Sequence, residues 1–210
     1  MMMLRYAVAI FLLTASLLGA ASESSKSQLE QPFWRVKPKV LKKITDDRAI
    51  IVLVGAELKK NKLSELKMQG GGLIKKSPAK VAVRVQRYED LPGISDYIKE
   101  VKVSSDRKEV FIHTEAFKYH ARMKMKISPE KVSDTLEKLE FTIIEGNFKG
   151  MTGHFTFEKH KPSATLMGFE ARYEYKKLPM PQFFLEFGLE FVLQKVAAKM
   201  RTYLENEPGV

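Results

Sequence analysis

The sequence predicts an α+β domain: a curved antiparallel β-sheet wrapped around a long C-terminal α-helix, with two short helices after the first core strand. Two observations carry this. Residues 181–205 read as one helix, because Phe183, Phe187 and Phe191 recur every fourth residue and Leu185, Leu189, Val192, Val196, Met200 and Tyr203 make a second stripe. Between Val101 and Tyr175, apolar and polar residues alternate in segment after segment, the period of strands with one buried face. A helix with so wide an apolar face must be gripped. A curved sheet that grips it either leaves an apolar cavity or fills the space with ordinary core side chains.

The elements follow in order. Residues 22–45 read as a leader or linker, polar and Ser-rich over Glu23 to Glu30, with order beginning near Pro32-Phe33-Trp34 and Trp34 packed against the domain surface. Ala49 to Val54 is β-branched and reads as a buried strand. Leu63 to Met68 gives a second strand, closed by Gly70-Gly71-Gly72, which read as a bulge or a close backbone approach. Ser77-Pro78 is an N-cap followed by proline at the first helical position, opening a helix to Tyr88 with Val81 and Val85 inward. Leu91-Pro92-Gly93 breaks it, and Ile94 to Ile98 makes one more turn before a strand with Val101 and Val103. Val110 to Phe117 is a strand whose facing is ambiguous, since both registers carry apolar side chains. The later strands are Ala121 to Ile127, a segment with Leu139, Phe141 and Ile143 ending at Glu145-Gly146-Asn147, Met151 to Glu158, and Thr165 to Tyr175. Gly188 falls mid-helix, where it costs about 1 kcal/mol relative to alanine and suggests close approach by the sheet or a ligand.

Composition narrows the compartment. Across 210 residues, 44% hydrophobic beside 29% charged is a globular balance for one domain. Residues 1–21 depart from it: a basic start to Arg5, an apolar run from Tyr6 to Leu18 and small residues Gly19-Ala20-Ala21 form a secretory signal with cleavage expected after Ala21. The alternative is an uncleaved anchor, although the run is short of the roughly 20 apolar residues of a span. There are no cysteines, so no disulfide and no lipoprotein route, and the bacterial periplasm is the expected location. The net charge is +11. That balance favours anionic partners, and for an exported protein the expectation is transient contact with an anionic membrane surface and no nucleic acid. The lysines are scattered along the chain, which fits a merely solvated surface as well.

Several chemistries are absent from the sequence. The three glycines lack the Lys-Ser or Lys-Thr of a phosphate-binding loop, and there is no Gly-x-Ser-x-Gly elbow. His113 and His120 do not have zinc-site spacing, and His154 and His160 lie on or beyond a polar strand face, so neither a catalytic residue nor a metal or other cofactor is assigned. Glu145, Arg172 and Glu174 remain candidates for a polar group reaching into an interior. That interior is supplied by Met123, Met125, Phe141, Ile143, Phe155, Phe157, Met167, Phe169, Ala171, Tyr173, Phe187 and Phe191. Methionine and aromatic side chains suit a pocket for flexible hydrocarbon, and they suit a solid core equally.

Ser77-Pro78-Ala79-Lys80-Val81 leading to Tyr88-Glu89-Asp90-Leu91-Pro92, and Phe141-x-x-x-Glu145-Gly146-x-Phe148, resemble the helix with its Asp-then-Pro exit and the glycine-ended strand of the START-like helix-grip superfamily. Its polyketide cyclase/dehydrase and lipid-transport group, which includes coenzyme Q-binding proteins, is the nearest likeness over Leu63 to Glu205. Ala82 stands where that group often has tryptophan, and Phe148 is the aromatic at the glycine turn, so a cavity entrance here is expected to differ. Residues Phe33 to Glu57 precede the family core, and the domain is bounded at 46–207. The resemblance implies a cavity between sheet and C-terminal helix, lined by the twelve interior residues above. It implies a carrier or sensor for a lipid or other hydrophobic small molecule. The alternatives are a cyclase/dehydratase-like enzyme using the same pocket, favoured by a polar pair inside it, and a filled-core interaction domain.

Overall fold

A computed structural model describes residues 32–59, 62–131, 133, 135–176 and 187–206. The expected signal at 1–21, the leader as far as residue 31, and Phe183 with the start of the expected C-terminal helix lie outside them. One eight-stranded antiparallel sheet organises the chain, in the order β1-β2-β8-β7-β6-β5-β4-β3. Its strands are β1 (Ile51–Leu58), β2 (Ser64–Ile74), β3 (Ile98–Val103), β4 (Glu109–Ala116), β5 (Tyr119–Lys131), β6 (Leu136–Gly146), β7 (Thr152–Lys161) and β8 (Ala164–Tyr175). The helices are α1 (Pro38–Thr45), α2 (Pro78–Val85), α3 (Leu91–Ile94) and α4 (Leu189–Glu205). β3 to β8 form a meander, and β8 returns to pair with β2, so the first and last core strands meet. β1 extends the sheet beyond that pair as an edge strand.

The alternation read from the sequence sets the two faces. Leu66, Met68, Val110, Ile127, Leu139, Phe141, Ile143, Phe157 and Ala171 are buried in one core with Val81, Val85 and Leu204 of the helices. Val110 and Ile112 settle the ambiguous register of β4, with Phe111 and His113 on the other side, where Lys102 lies 5.8 Å from the Phe111 ring.

A second core covers the opposite face. The segment expected to be a leader carries a 3₁₀ turn (Phe33–Val36) and helix α1, which pack Phe33, Trp34 and Ile44 on Leu73, Ala164 and Leu166. Trp34 is 1% exposed. Its ring fills the space above Gly71 of β2 and Gly168 of β8, and a Cβ at either glycine would overlap it. Close approach is therefore the reason for Gly71, and β2 does not stop at the glycines but runs through them to Ile74.

Other boundaries shift by a few residues. α2 ends at Val85, and Leu91-Pro92-Gly93 forms the helical turn α3 instead of breaking one, since proline is well accepted in a first turn. Gly188 stands at the N-cap of α4 with helical dihedrals, φ −68° and ψ −45°, and the residues just before Phe187 lie outside the described ones.

α4 is tied down at its C-terminal end. Tyr203 donates to Asp90 Oδ2 at 2.5 Å, Lys199 pairs with Asp96 at 2.7 Å, and Glu205 accepts from Arg48 Nη2 at 2.6 Å and the Lys75 backbone N–H at 2.8 Å. Burial pushes the Glu205 carboxyl up, but the Lys75 N–H and the Arg48 guanidinium outweigh it and hold the group below the usual carboxylate range. A lowered folded pKa gives stability that is present above the unfolded value and lost as pH falls through the folded one. Glu205→Gln should therefore cost about 1–2 kcal/mol at neutral pH, and the two proteins should converge in stability in acid, as read by urea unfolding across pH.

Candidate ligand-binding cavity

Beneath α4 lies a cavity of about 260 Å³, just below the usual range of small-molecule sites and equal to roughly nine water volumes. Its floor is a row across five strands. Val52 pairs with Gly70, Gly70 with Phe169, Phe169 with Phe155 and Phe155 with Leu139. Next to it, Gly72 pairs with Met167. Gly70 and Gly72 stand at inward positions in register with Leu66, Met68 and Ile74, so β2 presents two positions without side chains where its neighbours carry large ones. A Cβ at Gly70 would meet its nearest neighbour at 3.5 Å, and one at Gly72 would meet Ile50 Cγ1 at 3.5 Å, which are ordinary contacts. The missing side chains leave space and nothing else occupies it among the described residues.

The roof comes from three places. Leu193, Val196, Ala197, Met200 and Leu204 of α4 face down, Val85 of α2 closes one side, and Tyr88 and Leu91 follow it. Ile50, Ile112, Met125 and Ile74 complete the wall.

Only two polar side chains among the described residues line this space, Tyr88 and Arg201. The Tyr88 hydroxyl is buried without a hydrogen-bond partner among the described residues, and burial pushes the phenol up to about 12, so it stays neutral. Arg201 Nη1 donates to the Arg48 carbonyl at 2.7 Å. No carboxylate and no imidazole of the described residues reaches the lining. Glu145 is exposed and faces Lys124 at 3.6 Å, Arg172 pairs with Glu170 at 2.8 Å, and Glu174 pairs with Lys59 at 2.5 Å. His113 Nε2 and His120 Nδ1 lie 3.1 Å apart at an exposed site, and no group of three or more possible metal ligands occurs among the described residues.

Of the twelve interior residues expected, Met125, Phe155, Met167 and Phe169 line the cavity. Phe141 stands behind them, its ring stacked on Phe169 with centroids 6.2 Å apart. Ile143, Phe157 and Ala171 are buried in the same core without reaching the cavity. Met123 and Tyr173 pack against that core two residues beyond Met125 and four beyond Phe169 on their strands, toward the β4–β5 turn, Tyr173 against Phe148 and Tyr175. Phe187 and Phe191 must be corrected: they are 67% and 48% exposed and lie outside the cavity. The reason is helical phase. Leu189, Leu193, Val196, Met200 and Leu204 turn one face to the sheet, and Phe191, two residues from Leu189, is some 200° around the helix from it.

The residues missed were the β1 and β2 contributions and the inward positions Leu193, Ala197 and Leu204. One signal could have found the first group: Leu66, Met68, Gly70, Gly72 and Ile74 share parity, an apolar row with two gaps.

Known proteins share this fold. A START superfamily protein from Mycobacterium smegmatis superposes with a TM-score of 0.54 at 14% identity, over 66% of this chain and 97% of that one. The lipid transfer and protein localization domain of human StarD13 gives 0.54 at 11% identity, over 81% of this chain and 97% of the domain. A protein of Thermus thermophilus gives 0.51 at 14% identity, over 66% and 96%. At such identities the likeness is one of fold. A search of curated proteins finds no match. The family model described as polyketide cyclase / dehydrase and lipid transport matches residues 74–201, from the last residue of β2 into the final turns of α4. This chain belongs to that polyketide cyclase / dehydrase and lipid transport family.

Proposed function

We propose that the protein binds a hydrophobic small molecule or lipid in the cavity beneath α4 and acts as a carrier or sensor, exported to the bacterial periplasm. The observation that carries the binding role is the lining: an apolar space under a helix, with a neutral phenol, a guanidinium already engaged with a backbone carbonyl, and no acid–base group among the described residues. General acid–base chemistry needs a titratable group within hydrogen-bond reach of the substrate. The lining offers none near neutral pH, which favours binding over the cyclase/dehydratase alternative. A family whose description includes lipid transport supports the same reading.

An apolar fluorophore tests it. Binding at one site should saturate at one dye per chain and raise the melting temperature by mass action. No saturable binding would leave a domain that acts through its surface alone.

Export rests on residues 1–21. Mass spectrometry of material recovered from outside the cytoplasm should show a chain beginning at Ser22, and an intact Met1 there would identify an anchor instead. A chain started at Ser22 should fold equally well under reducing and oxidising conditions, because it has no cysteine to oxidise.

A further inference from the structure

Antiparallel pairing brings the β1–β2, β4–β5 and β6–β7 reversals and the last residue of β8 to one end of the sheet. The first turn of α4 joins them, since Phe191 lies 6.2 Å ring to ring from Phe117 of the β4–β5 turn. We propose that this end is a docking face for an anionic lipid surface, with Phe117, Tyr119, Phe187 and Phe191 entering the headgroup layer and lysines around them meeting phosphate.

Three independent observations support it. The first is where apolar surface is exposed. Of seven exposed large hydrophobic side chains among the described residues, five are here: Leu58 at 77%, Phe117 at 51%, Tyr119 at 41%, Phe187 at 67% and Phe191 at 48%. Exposed aromatics gathered on one face mark an interaction surface, whereas scattered ones mean little.

The second is charge. Lys62, Lys118, Lys149, Lys176 and Lys195 are all exposed at this end. The reversals at 59–63, 117–118 and 147–151 contain no Asp or Glu. Of the carboxylates near this end, Glu65 and Glu174 both face Lys59, Glu145 faces Lys124 and Glu115 faces Lys99, while Glu57 and Glu190 are exposed beside the rim and leave the five lysines in excess. Lys195 stands 5.5 Å from the Phe191 ring, an apolar stem and ring side by side with the ammonium positioned to reach a headgroup. A basic rim around exposed rings complements an anionic bilayer surface and would repel a second copy of itself.

The third is backbone strain. Phe117 and Lys118 form the two-residue β4–β5 turn with φ of 51° and 67°. Such a turn prefers Asn-Gly, and the left-handed region is costly for bulky residues. The chain keeps an aromatic and a lysine at the tip where stability alone selects neither. Among the described residues no helix is long and apolar enough to cross a membrane.

That same turn supplies a variant that separates binding from folding. In Phe117→Asn/Lys118→Gly the turn becomes the preferred one, so the melting temperature should hold or rise while docking weakens. The chain from Ser22 to Val210, which keeps the whole described fold, should co-sediment with phosphatidylglycerol/phosphatidylcholine vesicles and not with pure phosphatidylcholine. Binding should fall with salt, since the attraction is screened over a Debye length of about 8 Å at physiological ionic strength. Losing one lysine should weaken it roughly fivefold, and the double variant at least tenfold. The charge-matched control Lys108→Gln, at the β3–β4 reversal on the opposite end of the sheet, should bind like the parent. Parent-like binding by Phe117→Asn/Lys118→Gly, equal binding to neutral vesicles, or an equal loss in the control would overturn the proposal. So would a concentration-dependent dimer without lipid that the double variant abolishes, which would assign the face to a second copy. Each outcome is read without dye, so it stands apart from whether the cavity holds a ligand.

Discussion

Gly70→Leu should abolish binding of an apolar fluorophore, with at least a tenfold rise in Kd, while the melting temperature stays at or above that of the parent. The reason is geometric. Gly70 faces the cavity from the middle of β2, and its added Cβ would sit 3.5 Å from the Ile51 carbonyl oxygen and 3.8 Å from Val52 Cγ2, with the rest of the side chain directed into empty space. A glycine inside a strand is destabilising by roughly 0.5–1 kcal/mol relative to alanine, so the backbone gains from the change. If the interior were solid, the same leucine would overpack it and cost about 1–3 kcal/mol. Calorimetry and dye titration of one variant therefore separate a cavity from a filled core. Gly72→Leu should behave in the same way, because its Cβ has only Ile50 nearby.

Trp34→Ala should cost about 3–5 kcal/mol, as expected for removing a fully buried aromatic. The indole is 1% exposed, its Nε1 has no partner among the described residues, and it rests on backbone at Gly71 and Gly168. Its contribution is therefore packing, and truncation leaves a pit that neither glycine can fill. Urea unfolding of the two proteins measures the difference. A loss under about 1 kcal/mol would mean that residues 33–45 are a detachable leader; the expected loss makes them part of the fold, although they precede the family match at residue 74.

The fold was legible because it rests on periodicity. Met123, Met125 and Ile127 alternate with lysines in β5, and Phe155 and Phe157 alternate with His154 and Thr156 in β7, so one face had to be buried. What periodicity cannot give is which of two apolar stripes on one helix faces the sheet. Phe187 and Phe191 are larger than Leu189 and Leu193, yet the smaller residues turn inward, because Tyr203 on Asp90, Lys199 on Asp96 and Glu205 on Arg48 hold α4 in that phase. Exposure of the phenylalanines follows from tertiary packing that no single segment encodes. α1 was missed for a related reason. Pro38 to Thr45 is only two turns long with three lysines among its eight residues, and it fully buries Ile44 alone, so its stability comes from docking Val40, Leu41 and Ile44 near Leu73 and Leu166 of the sheet. The cavity itself is a matter of two absent side chains at inward positions, which composition registers only as glycine.

Native mass spectrometry of the protein recovered from its own compartment reads directly whether the cavity beneath α4 carries a hydrophobic molecule. The expected result is a one-to-one complex with an organic-extractable molecule of hydrocarbon character, absent when Gly70→Leu is recovered in the same way. A bare chain mass for the parent, together with no saturable binding of an apolar fluorophore, would contradict it.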